Sequence, residues 1–328
     1  MQKLPFDRNA IFSISSEEEF LHYSLATFQY QYQYNPVYKQ YCDLIGCRKE
    51  EIKSLEDIPF LPIRFFKSKK VSCWQDQHDI VFSSSGTTGM SQSQHFVKDL
   101  TLYELSFLKA FEHFYGSPSD YLILGLLPSY LEREGSSLIY MVDRLIKASG
   151  QKEEGFFLDQ YEALIELIQK SDKKVFLIGV SYALMELAEQ YELDLSRHIV
   201  METGGMKGKR AEKTKEELHA VLQEGLGLNT VHSEYGMTEL LSQAYSKEDG
   251  IFETPPWMKI LIREYNDPFN YTPSKSGGIN VIDLANLHSC SFIATDDLGK
   301  KNALKYNQFK ILGRLDNSDI RGCNLLIE

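Results

Sequence analysis

The chain has 328 residues, 43% hydrophobic and 25% charged, a globular make-up with room for one large domain or two ordinary ones. Its net charge of −11 argues against nonspecific nucleic-acid binding and against an anionic membrane surface, although a few local groups can still hold phosphates. No stretch approaches about 20 apolar residues, so no membrane span is expected. The five cysteines form no C-x-x-C pair, and the start shows no signal-peptide pattern, so reduced thiols in the cytoplasm are expected.

In chain order, Ser16 with Glu19 gives a capping-box pattern, and Leu21, Leu25, Phe28 and Tyr32 then share one helical face. Residues 98–115 repeat that periodicity with Leu105, Leu108, Phe111 and Tyr115. Short apolar runs at 121–127, 175–180, 198–203 and 230–235 read as buried strands. Amphipathic stretches near 135–149, 160–171, 181–191 and 210–225 lie between them as helices. Such alternation predicts an α/β fold with parallel sheet covered by helices. Beyond about residue 250 the helical pattern fades, and 277–285 and 291–295 read as strands of a smaller β-rich lobe. The expected organisation is therefore an α/β core over 1–250 with a β-rich lobe over 251–328 packed on it.

Chemistry concentrates in a few motifs. Ser83-Ser84-Ser85-Gly86-Thr87-Thr88-Gly89 combines glycines, which let successive N–H groups converge on an anion, with hydroxyl donors. It suits a polyphosphate but lacks the Gly-Lys-Ser/Thr ending of a Walker loop, and a plain Ser/Gly turn has the same composition. Tyr235-Gly236-Met237-Thr238-Glu239 follows an apolar strand and so falls at a strand's carboxyl end, where open α/β sheets bind ligands. There Tyr235 can stack on a base, Thr238 can donate to a phosphate and Glu239 can hold Mg²⁺, although a capped helix start would look alike. Gly204-Gly205 follows another strand and precedes the basic cluster Lys207, Lys209 and Arg210. Asp297 lies in Thr-Asp-Asp-Leu-Gly, and Arg314 opens a polar segment that ends in Ile-Arg-Gly.

Taken in order over roughly residues 82–322, these motifs resemble the adenylate-forming superfamily of acyl-CoA synthetases, luciferases and peptide-synthetase adenylation domains. The resemblance implies an ATP- and Mg²⁺-dependent ligase in which Ser83 to Gly89 cradle the phosphates. By the same likeness Gly204, Gly205 and Tyr235 frame adenine, with Gly236 and Met237 in the same motif. Thr238 touches the α-phosphate, Glu239 holds the metal, Asp297 binds the ribose hydroxyls and Arg314 lies beside ribose and phosphate.

Two departures stand out. Met90-Ser91-Gln92 carries no cation where the family's loop has one, and Glu328 falls six residues after the Ile-Arg-Gly signature, where family members continue into a lysine-bearing domain. That pattern is similar to the acyl-protein synthetases of bacterial luminescence and, secondarily, to phenylacetate–CoA ligases. The first likeness implies activation of a fatty acid and acylation of a cysteine near the C-terminus, for which Cys323, beside Arg321, is the candidate. It also implies an acyl-accepting or reductase partner protein. Cys290 is a second thiol, expected mid-strand. A carboxylate–CoA ligase core served by a separate C-terminal domain, and a nucleotide-binding protein without catalysis, are the alternatives.

Overall fold

The computed structural model describes residues 3–84, 92–128, 135–153, 155–204, 213–264, 267–271, 276–302, 305 and 307–314. Helices α1 (Glu17–Tyr34) and α2 (Pro36–Leu44) open the chain, each capped by a side chain that accepts from backbone N–H groups, Ser16 and Asn35. The capping box is only half formed. Ser16 Oγ accepts from the Glu19 N–H at 3.1 Å, but the Glu19 carboxylate turns to the N–H of Ser15 instead. The inward face of α1 is also rotated from the expected one. Phe20, Ser24, Thr27, Phe28 and Gln31 are buried, whereas Leu21, Leu25 and Tyr32 are only half-buried. Gln31 explains the rotation. Its amide donates to the carbonyls of Asn286 (3.0 Å) and Leu287 (3.1 Å) and accepts from the Ser291 N–H (2.9 Å), which ties α1 to the C-terminal part of the chain.

Strand β1 (Leu61–Pro62) and the one-turn α3 (Phe65–Ser68) lead to the hairpin of β2 (Ile80–Ser83) and β3 (Gln94–Val97). Helix α4 (Leu100–Tyr115) follows, capped by Asp99. From there strands and helices alternate as expected: β4 (Tyr121–Leu126), α5 (Ser137–Ala148), α6 (Tyr161–Lys170), β5 (Lys174–Val180), α7 (Ser181–Gln190), β6 (Ile199–Thr203), α8 (Lys215–Leu226) and β7 (His232–Tyr235). The remainder is strand: β8 (Ala244–Ser246), β9 (Ile251–Glu253), β10 (Met258–Arg263), β11 (Ser276–Asp283), β12 (Phe292–Lys301) and β13 (Gln308–Arg314).

One sheet in the order β10-β11-β12-β13-β9-β8-β7-β6-β5-β4 runs through both halves, with β1 added in parallel to β12. Strands β4 to β7 are mutually parallel, and from β7 through β8, β9, β13, β12, β11 and β10 each successive pair is antiparallel. The parallel part has no room for solvent on either side. Its strands therefore read as continuous apolar runs, such as Val175 to Val180, of which every residue is buried. Side chains alternate between the faces. Glu202 and Ser233 point toward α7 and α8, where they meet Ser181, Lys215 and His219. Aromatic residues on the other face pack against α4, with the Phe111 and Phe176 rings 5.0 Å apart. Strand β13 lies between β9 and β12, so the residues around 250 continue the sheet. Among the described residues no helix is long and apolar enough to cross a membrane.

Candidate active site

The carboxyl ends of the parallel strands gather most of the described motif residues. In register, Val180 faces Thr203 and Thr203 faces Glu234, so Ser181, Gly204 and Tyr235 to Glu239 emerge along one edge. Gly204 has φ +70°, a conformation glycine takes without strain, and its carbonyl accepts from Ser181 Oγ at 2.8 Å. Gly236 lets the Glu234 carboxylate lie close, since a Cβ there would sit 2.2 Å from Glu234 Oε1 and that side chain would have to move.

The β2–β3 hairpin is pinned to this edge at three points. The Ser83 N–H donates to the Gly135 carbonyl (2.8 Å), which belongs to the segment between β4 and α5. The ring of His95, on β3, reaches the Thr238 carbonyl through Nδ1 (2.9 Å) and Ser289 Oγ through Nε2 (2.8 Å). A carbonyl can only accept, so Nδ1 carries the proton and Nε2 accepts from Ser289. Burial, only partly opposed by that carbonyl, lowers His95 to about 4, so it is a neutral, fixed tautomer. The third point is Ser93, whose hydroxyl hydrogen-bonds the Glu239 carboxylate. At the hairpin's tip Ser84 and Ser93 clasp each other, Ser84 N–H to the Ser93 carbonyl (3.1 Å) and Ser93 N–H to Ser84 Oγ (2.9 Å). Ser85, Gly86, Thr87, Thr88 and Gly89, together with Gly205, Lys207, Lys209, Arg210 and Cys323, lie outside the described residues.

Glu239 is buried, which raises its carboxyl above the usual range, while Ser93 and the charges of Lys67 and Arg314 pull the other way. Lys67, on α3, has no counterpart in the sequence reading. It precedes the Ser83 motif and belongs to none, and nothing in its spacing marks it. The backbone around Glu239 is held by a buried clamp. Asn286 Nδ2 donates to the Glu239 carbonyl (2.7 Å), and Asp283 accepts from the N–H groups of Leu241 and Ser242 and from Ser242 Oγ.

On the antiparallel side, Asp297 and Arg314 are direct partners across β12 and β13, with Arg314 Nε 3.4 Å from Asp297 Oδ1. Tyr235 Oη donates to Asp297 Oδ2 at 2.8 Å, and its ring packs edge-on against Phe252 and Phe309. Burial raises Asp297 above the usual carboxylate range, against the pull of Tyr235 and Arg314. The structure thus brings Ser83, Ser84, Gly204, Tyr235, Gly236, Met237, Thr238, Glu239, Asp297 and Arg314 to one edge, with Tyr235 linking the two halves of the sheet. Two cavities of about 330 and 340 Å³ lie elsewhere, bordered by Ser196 and His198 ahead of β6, at the strands' opposite ends. The chemistry identifies the carboxyl edge as the candidate active site, because the motif residues meet there and not at those cavities.

Cys290 precedes β12 instead of lying within it. It is fully buried, its Sγ is 3.3 Å from the Phe292 carbonyl, and burial pushes the thiol up to about 12, which makes it a poor nucleophile.

This architecture is shared with solved structures of CoA ligases. The crystal structure of an open conformation of 2-hydroxyisobutyryl-CoA ligase, in complex with 2-HIB-AMP and CoA, aligns with a TM-score of 0.67 at 13% identity. The alignment covers 92% of this chain and 75% of that one. ATP-bound MatB from Rhodopseudomonas palustris aligns with a TM-score of 0.54 at 18% identity, over 73% of this chain and 49% of that one. The sequence adds two further likenesses. Residues 6–106 match the family model for acyl-protein synthetase, LuxE. The chain is also 24% identical to the long-chain-fatty-acid–luciferin-component ligase of Vibrio harveyi, with 91% of this chain and 84% of that protein covered.

Proposed function

We propose that this protein activates a carboxylic acid, of the fatty-acid class, with ATP and then passes the acyl group to a thiol. The observation that carries this reading is the single edge on which Thr238 and Glu239, the base of the Ser83–Ser84 loop, and the Tyr235–Asp297–Arg314 chain converge. Its likeness to a fatty-acid–luciferin-component ligase supports the acid class and a partner in acyl transfer.

In the first step a substrate carboxylate oxygen bonds to the α-phosphorus of ATP. The bond from that phosphorus to the bridging oxygen breaks, and pyrophosphate leaves. In this reading Asp297 accepts from ribose hydroxyls, with Tyr235 Oη fixing its orientation. Arg314 and Lys67 supply positive charge that acts on Glu239, whereas the sequence Met90-Ser91-Gln92 carries none. Among the described residues no three His, Cys, Asp or Glu side chains gather into a metal-holding group. A lone buried carboxylate such as Glu239 fits Mg²⁺ that is held mainly by substrate phosphates, and the ion would neutralise charge on those phosphates. In the second step a thiolate attacks the acyl carbon, forming a thioester as AMP leaves. We assign the thiol to Cys323, and the location to the cytoplasm.

Acid-dependent exchange of labelled pyrophosphate into ATP across a panel of carboxylic acids tests the first step. Exchange that is greatest with long-chain acids is expected, and ATP binding without exchange for any acid would defeat it. For the second step, a radiolabelled fatty acid should stay covalently on the wild-type chain and not on Cys323→Ser. Labelling of that variant, or turnover only with coenzyme A, would remove Cys323 from the reaction.

A further inference from the structure

The cavity of about 330 Å³ at the amino-terminal ends of the parallel strands has features the proposed reaction does not use. Its walls come from the starts of β4 to β7, through Tyr121, Lys174, Ile199 and His232, and from Lys247 just after β8. The residues that carry the proposed chemistry leave the opposite ends of the same strands. At about 3.3 Å per residue, strands of four to seven residues separate the two regions by roughly 13–23 Å.

Within a chain of net charge −11, this cavity is locally cationic. Lys174 and Lys247 border it, and neither has an ion-pair partner among the described residues. No carboxylate lines it among those residues. Asn229, His198 and His232 add neutral donors and acceptors. Burial first, and then the charges of Lys247 and Lys174, lower His232 to about 4, so the imidazole is uncharged at neutral pH and already senses both lysines. His198 is likewise lowered by burial, Arg197 and Lys174, with Asp194 the weakest of its influences. The rest of the lining is partly aromatic and apolar. Phe114, Tyr115 and Leu228 belong to it, and Lys247 lies over the Tyr115 ring at 5.5 Å from its centroid. The volume falls at the lower end of the range for small-molecule pockets.

We propose that this cavity binds a small organic phosphate, with the phosphoryl group between Lys174 and Lys247 and the organic body against Phe114 and Tyr115. Two unpaired ammonium groups match a phosphoryl dianion, whereas a carboxylate would neutralise only one of them. The imidazole of His232, hydrogen-bonded at Nδ1 to Tyr115 Oη at 3.2 Å, can turn its other nitrogen to an anionic oxygen.

Phenyl phosphate is a direct probe, followed through the histidine ring signals of the full chain by ¹H–¹³C NMR. The His232 signal is assigned by its loss in His232→Gln. Saturable shifts of His232 are expected with phenyl phosphate, with benzoate and phenol each binding at least about tenfold more weakly. Inorganic phosphate should bind more weakly than phenyl phosphate but displace it. Lys174→Gln and Lys247→Gln should each weaken phenyl phosphate by about tenfold or more while leaving the other histidine signals in place. The proposal is overturned if no saturable shift appears up to about 10 mM, or if benzoate or phenol matches phenyl phosphate. It is also overturned if both lysine variants bind as tightly as the wild type.

Discussion

Glu202 and Glu234 lie on neighbouring strands, yet their surroundings drive their carboxyls in opposite directions. Burial works to raise Glu202, but His219, Lys215 and Ser233 outweigh it and bring it to about 2. Burial raises Glu234 to about 7, because Thr203 is its main relief and the charge of Glu202 adds to the effect. The folded chain therefore keeps a proton on Glu234 that the unfolded chain, at 4.5, has released. The stability this contributes is complete below pH 4.5 and is lost as pH rises through 7, by about 3 kcal/mol in all. Glu234→Gln should remove that loss, so that in urea titrations the variant gains on the wild type between pH 5 and pH 8. A constant difference between the two would show that Glu234 is already ionised in the fold. Glu239 makes a second prediction at this scale. Glu239→Gln keeps the shape and the Ser93 hydrogen bond but removes the charge. Pyrophosphate exchange should fall about a hundredfold while ATP affinity changes severalfold at most. Equal loss in both would mean that the carboxylate only binds ground-state ATP.

Among the elements, the turn after β7 is the one most completely held by the rest of the molecule. Asp283, the last residue of β11, and Asn286, just beyond it, satisfy the N–H groups of Leu241 and Ser242 and the carbonyl of Glu239, and Trp257 Nε1 donates to Ser242 Oγ (3.0 Å) and Ser106 Oγ (3.1 Å). Asp283→Ala should cost about 3 kcal/mol, since it leaves several buried donors unpaired. Denaturant unfolding measures that, and a loss below about 1 kcal/mol would mean that water replaces the carboxylate. This clamp had no signature in the chain, because its two sides are some 40 residues apart and neither Asp283 nor Asn286 belongs to a motif. The alternating core was legible: the runs at 121–127, 175–180, 198–203 and 230–235 became β4 to β7, and the amphipathic stretches between them became helices. Helical faces were read less well. On α4 the buried set is Leu102, Tyr103, Ser106, Phe107, Ala110, Phe111 and Phe114, of which only Phe111 was on the expected face. Small and polar residues such as Ser106 are buried there through hydrogen bonds to distant partners, and hydrophobic periodicity cannot register those.

Over the whole molecule, the candidate site depends on pieces more than 200 residues apart: Lys67, the β2–β3 hairpin, the turn after β7 and the β12–β13 pair. Motif order pointed to that edge because Tyr235-Gly236-Met237-Thr238-Glu239 follows its strand directly. It could not show that Tyr235 spans the two halves of the sheet to reach Asp297, nor that Lys67 lies near Glu239. If this edge binds ATP, the nucleotide should stabilise the chain by about 2.7 kcal/mol at a hundredfold excess over its dissociation constant. Asp297→Ala should reduce the resulting rise in melting temperature to less than half without abolishing folding. A full rise in the variant would place the nucleotide elsewhere.

The position of β13 has a consequence for synthesis. This strand fills the slot between β9 and β12 and carries Arg314, but it is translated after every other described strand of the sheet. While the ribosome is still adding residues before 308, the nascent sheet has a gap with β9 and β12 as open edges, and Asp297 lacks its arginine. Open edges of this kind recruit stray strands. The growing chain is therefore most exposed to mispairing in the interval before β13 joins the sheet.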